Sequence, residues 1–289
     1  GRLVDALPDD APPGQRLFAL TLAGRTKEAD ELAAKLRDVP PDTNDPPTDV
    51  VQALLRAGRP DDADRALVTA GGWPTVRMPL LAARGRVADA LGLLADPKAA
   101  AALKENRPGE WENWRLERAK LLGKLGRTAE ARAELDAVAP PAPKPDGDVS
   151  AFEFFLRAEI DAGFADAAFD RAGKAMDTEP EAADLLRAVS GSAALFPDNG
   201  SEAATWWAVL RIKSHAGKPP SATLGLVRRV VEGTATKPEF TAARDDLTAS
   251  ITLTDMGVLP RQAHLALASA AQAGGYLADA EAALKQAVE

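Results

Sequence analysis

The chain has two imidazoles, His215 and His264, and they stand too far apart for HExxH or any comparable ligand spacing. His215 lies beside Gly217 near a helix end, where a cationic ring favours the helix dipole. His264 lies in an alanine- and leucine-rich stretch. Both read as packing or surface residues rather than general bases. Carboxylates recur in close pairs, Asp61/Asp62, Asp245/Asp246 and Glu110/Glu112, the residue type that acid–base chemistry uses. On helices such pairs read as a solvated face. Gly217-Lys218-Pro219 lacks the upstream glycine of a phosphate loop, and no strand precedes Ser190-Gly191-Ser192 to make a nucleophile elbow. Asn199-Gly200-Ser201 matches a glycosylation acceptor, although Ser201 is expected to cap the helix that carries Trp206. With no cysteine there is no thiol nucleophile, disulfide or thiolate metal site. The residues predict no catalytic centre, no metal site and no cofactor.

Contact chemistry is better represented. Aromatic residues concentrate between Trp111 and Trp207, and Phe152, Phe155 and Leu156 share one helical stripe that reads as core. Trp206 and Trp207 are neighbours, so on a helix they point about 100° apart. At least one of them is a candidate for a groove wall. Arg211, Lys213, Lys218, Arg228 and Arg229 form a basic island in a chain of net charge −8, suited to an acidic peptide or lipid headgroups. The overall charge argues against a nucleic-acid partner. No apolar run is long enough to span a bilayer, which leaves peripheral membrane contact and either a cytoplasmic or a periplasmic setting open.

The elements that must position these residues are helices. Seven times, at the joint between two helix-like runs, a glycine is followed five residues later by an alanine: Gly24/Ala29, Gly58/Ala63, Gly85/Ala90, Gly126/Ala131, Gly163/Ala168, Gly217/Ala222 and Gly275/Ala280. The glycine ends one helix in the left-handed conformation, and the small alanine lets the next helix lie close. Thr236-Lys-Pro-Glu239, Thr178-Glu-Pro-Glu181 and Ser150-Ala-Phe-Glu153 read as capping boxes, and Asp96-Pro97 as a further helix start. Extra helices are expected at 181–195 and 238–253. No alternating β-branched run is long enough to make a sheet.

At 289 residues, with 46% hydrophobic but only 5% aromatic residues, the composition suits close-packed hairpins better than one thick core. Residues 1–139 and 149–289 read as N- and C-terminal sets of helical repeats on either side of a proline-rich joint at 140–148, within one continuous array. A second proline-rich stretch runs from Val39 to Pro47. Opening on Gly1-Arg2 and closing on Ala287-Val288-Glu289 within a helical pattern, the chain reads as a piece of a longer protein.

Val50 to Ala70 resembles the tetratricopeptide repeat. Leu54, Gly58, Ala63, Leu67 and Ala70 fall where that repeat places a first-helix apolar residue, the turn glycine, the packing alanine, a large apolar residue and a second small one. Phe18–Leu36, Arg118–Val138 and Ala263–Leu284 are similar. The family's tryptophan and closing proline are mostly absent. The resemblance covers about half the chain and implies an all-α solenoid of antiparallel helix hairpins, with about fourteen to sixteen helices in degenerate repeats. It also implies a non-catalytic scaffold that binds other proteins, often through the inner, concave helices. A looser likeness is to the α-solenoid half of bacterial membrane-coat-like proteins, which would imply assembly or membrane contact. A helical accessory domain of an enzyme or kinase is a further alternative.

Overall fold

A glycine with positive φ costs nothing where another L-residue would be strained, and the computed structural model puts six of the paired glycines there. φ is +68° at Gly24, +71° at Gly58, +73° at Gly85 and Gly126, +90° at Gly163 and +77° at Gly275. At each joint the residue after the glycine donates its N–H to the carbonyl five residues earlier, as Arg25 does to Leu20, Arg59 to Leu54 and Tyr276 to Ala271. That is the closure of a Schellman motif. Ala29, Ala63, Ala90, Ala131, Ala168 and Ala280 are all buried.

The structure describes residues 7–8, 11–37, 48–141, 150–178, 194–212, 219–251 and 260–288. Among them all regular structure is helical, in sixteen helices with no strand. The chain divides into two units, Gly1–Leu121 and Leu122–Glu289. The first holds α1 (Pro13–Leu22), α2 (Thr26–Arg37), α3 (Thr48–Arg56), α4 (Pro60–Thr69), α5 (Pro74–Ala83), α6 (Val87–Gly92) and α7 (Pro97–Asn106). The division falls within α8 (Pro108–Lys124). The second unit holds α9 (Thr128–Asp136), α10 (Ser150–Asp161), α11 (Ala165–Thr178), α12 (Gly200–Ile212), α13 (Pro220–Val231), α14 (Lys237–Ile251), α15 (Pro260–Ala273) and α16 (Leu277–Val288). The expected joint at 140–148 lies outside the described residues from 142 onward, as do 38–47 and the expected helix at 181–195 up to residue 193. The expected helix at 238–253 is α14, with Phe240 and Leu247 buried.

In the first unit, contacts from α1 to α6 run from helix to helix in chain order, and near its start also to the next but one. α1 meets α2 and α3, α2 meets α4, and α4 meets α3 and α5. Where α1 crosses α3, a Cβ on Gly14 would lie 2.8 Å from the Ala53 methyl, so this crossing is sized for glycine. A charged seam repeats at the turns. The arginine after the turn glycine pairs with an acid three residues on: Arg25 Nε lies 2.7 Å from Glu28 and Arg86 Nε 2.7 Å from Asp89. Arg59 also reaches back to Asp30 and Arg86 to Asp64, so the residue after one turn glycine meets the sixth residue after the preceding one. Arg84 reaches Asp61 in the same direction. In the second unit Arg127 and Glu130 repeat the local pair at 2.7 Å.

The second unit is organised differently. Its buried cluster centres on α12, which packs against α13, α14 and α15, while α11 also packs on α13. α10 and α11 form a hairpin whose core side contains Glu159, fully buried and bonded through both carboxylate oxygens to Arg171 at 3.0 and 2.9 Å. Two further glycines allow close backbone contact. A Cβ on Gly123 would stand 2.5 Å from Ala162 Cα. One on Gly233, where φ is +70°, would run into the Ala273 carbonyl and stand 2.6 Å from Gly274 N.

The seventh pair departs from the other six. Gly217 lies outside the described residues, and Ala222 is exposed rather than packed. α13 starts only at Pro220, so Ala222 sits in its first turn, while the capping acceptor comes from another helix: Asp177 Oδ1 accepts from Ser221 N at 3.0 Å. Of the capping boxes, Thr236 N donates to Glu239 at 2.9 Å as expected. Asp96 likewise accepts from Lys98 N. Thr178 instead ends α11, and its hydroxyl donates back to Lys174 O.

Candidate contact surfaces

Trp206 and Trp207 are both removed from the surface. Trp206 is fully buried, with its indole N–H donating to Ala266 O at 3.3 Å, and Trp207 is 4% exposed. Divergence of neighbours on a helix predicts that the pair straddles a core and a groove. Here α12 is enclosed by three helices, so both directions end in packing. Neither ring is available to a partner.

Two members of the basic island, Arg228 and Arg229, are tied to acids. Arg228 pairs with Glu232 at 2.9 Å and Asp166 at 2.8 Å, and its guanidinium lies 4.3 Å from the Phe169 ring centre. Arg229 pairs with Glu239 at 2.8 Å. The Thr236 N–H and hydroxyl, followed by Arg229, hold the Glu239 carboxyl below its ordinary range. Arg211 is half-buried, and Lys213 and Lys218 lie outside the described residues. Arg228 and Arg229 are anchored by acids from neighbouring turns, which leaves them little uncompensated positive field.

Three of the paired carboxylates are occupied in the same way. Asp61 meets Arg84, Asp62 meets Arg59, and Asp245 meets Arg244. His264 is half-buried in α15 and His215 lies outside the described residues. Asn199 precedes α12, and the Ser201 hydroxyl donates to Glu202 inside the first turn instead of capping it.

An open groove lies between α1 and α3, both of them first helices of their hairpins, with a volume of about 930 Å³. Pro13, Phe18, Ala19, Val50 and Ala53 line it, with Gln52 and Arg56 among its polar members. Phe18 is 40% exposed, a large ring held partly in water by the helix that carries it. Beyond the family resemblance no local pattern announces this site, since its two walls are adjacent only after α2 has turned the chain back.

A second site missed by sequence reading is the Ala70–Trp73 turn. Trp73 takes φ +28°, a strained value for an aromatic residue, and its indole N–H donates to Ala70 O at 2.8 Å. Arg107 lies 4.6 Å above that ring and pairs with Glu110 at 3.0 Å. The Glu110 side chain is 8% exposed and its other oxygen is buried without a partner. Burial pushes the Glu110 carboxyl up, against the opposing pull of Arg107. The folded chain therefore holds this proton more tightly than the unfolded chain does. The ionised group subtracts stability, and the loss grows as pH rises out of the ordinary carboxylate range through the raised value. Glu110→Gln is expected to raise the melting temperature at neutral pH. The gain should vanish in acid, where Glu110 is itself neutral; thermal unfolding at both pH values checks this.

No helix among the described residues is long and apolar enough to cross a membrane. No protein-family model, curated protein or solved structure matches the chain.

Proposed function

We propose that this chain is a non-catalytic helical-repeat scaffold, a tetratricopeptide-like α-solenoid segment of a larger protein, whose job is to hold a partner protein. The observation that carries this reading is the α1/α3 groove: it is open, mostly apolar, and walled by the first helices of successive hairpins. Those are the helices that line the concave face in the family the sequence resembles. The recurring Arg–Asp seam supports a repeat origin, because it joins equivalent positions of neighbouring hairpins. Such a groove suits an extended or helical segment that inserts one large apolar side chain beside Phe18, with polar contacts to Gln52 and Arg56. The membrane-contact alternative leans on the basic island, where Arg228 and Arg229 are already tied to acids, so protein contact is the better supported reading.

The test is to pan a random peptide library on the intact chain and measure binding of the selected peptides. Phe18→Glu is expected to weaken them about tenfold or more, as loss of a central anchor does. Val68→Glu, on an exposed apolar residue that does not line the groove, should leave binding unchanged. Failure to select any peptide, or binding indifferent to Phe18→Glu, would overturn the reading.

A further inference from the structure

Asn199-Gly200 sets a side-chain amide beside a backbone nitrogen that no side chain crowds. The fold puts this pair at the start of α12, with Asn199 as its cap. Asn199 O accepts from Ala203 N at 2.9 Å, and Asn199 N donates to Phe196 O at 3.1 Å. Gly200 is then the first helical residue, whose N–H has no helical carbonyl one turn back to bond. Among the described residues neither that N–H nor the Asn199 side chain takes part in a hydrogen bond. Asn199 is half-buried, and Pro197, Asp198 and Ser201 around it are exposed, so water reaches the amide. The other described asparagines are held differently. Asn106 ends α7; its amide donates to Ala102 O at 2.9 Å, and the nitrogen that follows, Arg107 N, donates to Leu103 O at 2.8 Å. Asn113 lies inside α8, so Trp114 N–H belongs to the helix ladder.

We infer that Asn199 is a self-modifying site, at which the Gly200 nitrogen turns the side-chain amide into an acid. Gly200 N gives its proton to hydroxide and attacks Asn199 Cγ. The new C–N bond closes a succinimide ring as the Cγ–Nδ2 bond breaks, and the leaving nitrogen takes a proton from water and departs as ammonia. Water then opens the ring, so the net change is amide plus water to carboxylic acid plus ammonia. Attack at Cγ leaves aspartate, and attack at the main-chain carbonyl leaves isoaspartate. Aspartate suits the position, since it caps as well as asparagine and sets a negative charge at the positive end of α12. Isoaspartate does not. The carbonyl that accepts from Ala203 becomes a pendant carboxylate, and the chain enters α12 through an added methylene. Ala203 and Trp206 are fully buried, and α12 is enclosed by α13, α14 and α15. The added atom therefore disturbs the first turn of the helix on which the second unit's buried cluster centres.

Ageing the intact chain at mildly basic pH, with peptide mapping by mass and enzymatic methylation of isoaspartate as readouts, tests this. Short peptides carrying Asn106, Asn113 or Asn199 set the rate each asparagine has without the fold. Asn199 is expected to keep most of its peptide's rate in the folded chain, whereas Asn106 and Asn113 should lose most of theirs. Conversion at Asn199 should quicken as pH rises, because the attacking nitrogen must shed its proton. Gly200→Ala crowds that nitrogen with a methyl yet suits a helical position, so it should slow conversion severalfold with an unchanged helical circular dichroism signal. Asn199→Asp is expected to melt with the fresh chain, and the isoaspartate-rich aged chain below both. Protection of Asn199 as strong as that of Asn113, or a rate indifferent to Gly200→Ala, would overturn the proposal. An isoaspartate-rich chain that melts with Asn199→Asp would overturn its consequence for α12.

Discussion

Gly233→Ala is expected to cost roughly 3–5 kcal/mol, about 1–2 for a left-handed residue that acquires a side chain and the rest for overpacking. Two independent penalties meet at this residue. Its φ of +70° disfavours any side chain, and the space a Cβ would take is filled by the Ala273 carbonyl and Gly274 N. Both neighbours are backbone at the end of α15, so neither can swing aside as a side-chain tip would. Relief requires α13 and α15 to separate, and these helices share the buried cluster around α12. Gly126→Ala is the matched control: φ is +73° there and nothing lies within 4 Å of the added methyl. It should lose only about 1–2 kcal/mol. Denaturant unfolding of both variants separates the contributions. Equal losses would mean that the close approach at Gly233 relaxes without strain.

The second large effect is expected from Glu159→Ala. Its carboxylate is fully buried and grips Arg171 with two bonds, while the guanidinium also lies 5.1 Å from the Phe155 ring centre. The hydrogen bonds from Arg171 to Glu159 hold the Arg171 pKa above its ordinary value despite desolvation. Removing the acid leaves a partly buried cation without its main partner, which costs about 3–5 kcal/mol in comparable cases. Because both ions were desolvated to form it, the pair as a whole contributes far less than its rupture costs. Glu159→Met with Arg171→Met should therefore unfold later than Glu159→Ala alone. If the double variant is the less stable of the two, the penalty comes from lost packing rather than from a stranded charge.

These two residues also mark where sequence reading stops. Nothing local distinguishes Gly233 from the other turn glycines, and the pattern of a glycine and an alanine five residues on passes it by because Pro238 stands in the alanine's place. Its importance comes from Ala273, which is distant in sequence. Gly123 and Gly14 are alike in this respect: each sits inside a helix where glycine looks like a weakness, and each faces a backbone or methyl group at 2.5 to 2.8 Å. The six turn glycines are the converse. A methyl there would meet nothing, so they are glycine for φ alone, a requirement written within the turn itself.

The aromatic pair shows the same boundary in the candidate site. That Trp206 and Trp207 diverge is a consequence of helix geometry. That both directions end in packing is a consequence of α12 being enclosed by α13, α14 and α15. One contact that fixes this, Trp206 to Ala266, joins residues 60 positions apart. The Arg–Asp seam is half legible. The arginine after each of four turn glycines and the acid three residues later can be read off the chain, whereas the reach from Arg59 to Asp30 depends on how one hairpin lies on the one before it.

By itself, then, the chain's local order determined the helices, their joints and the small residues that let paired helices approach, because backbone dihedrals and one-turn contacts are decided by a few consecutive residues. Only the tertiary structure decided which side chains face water. It sank the tryptophans, tied Arg228 and Arg229 to acids, and opened a groove between α1 and α3. Each outcome is set by chain segments brought together from far along the sequence, and no local pattern encodes which face of a helix its distant neighbours will cover.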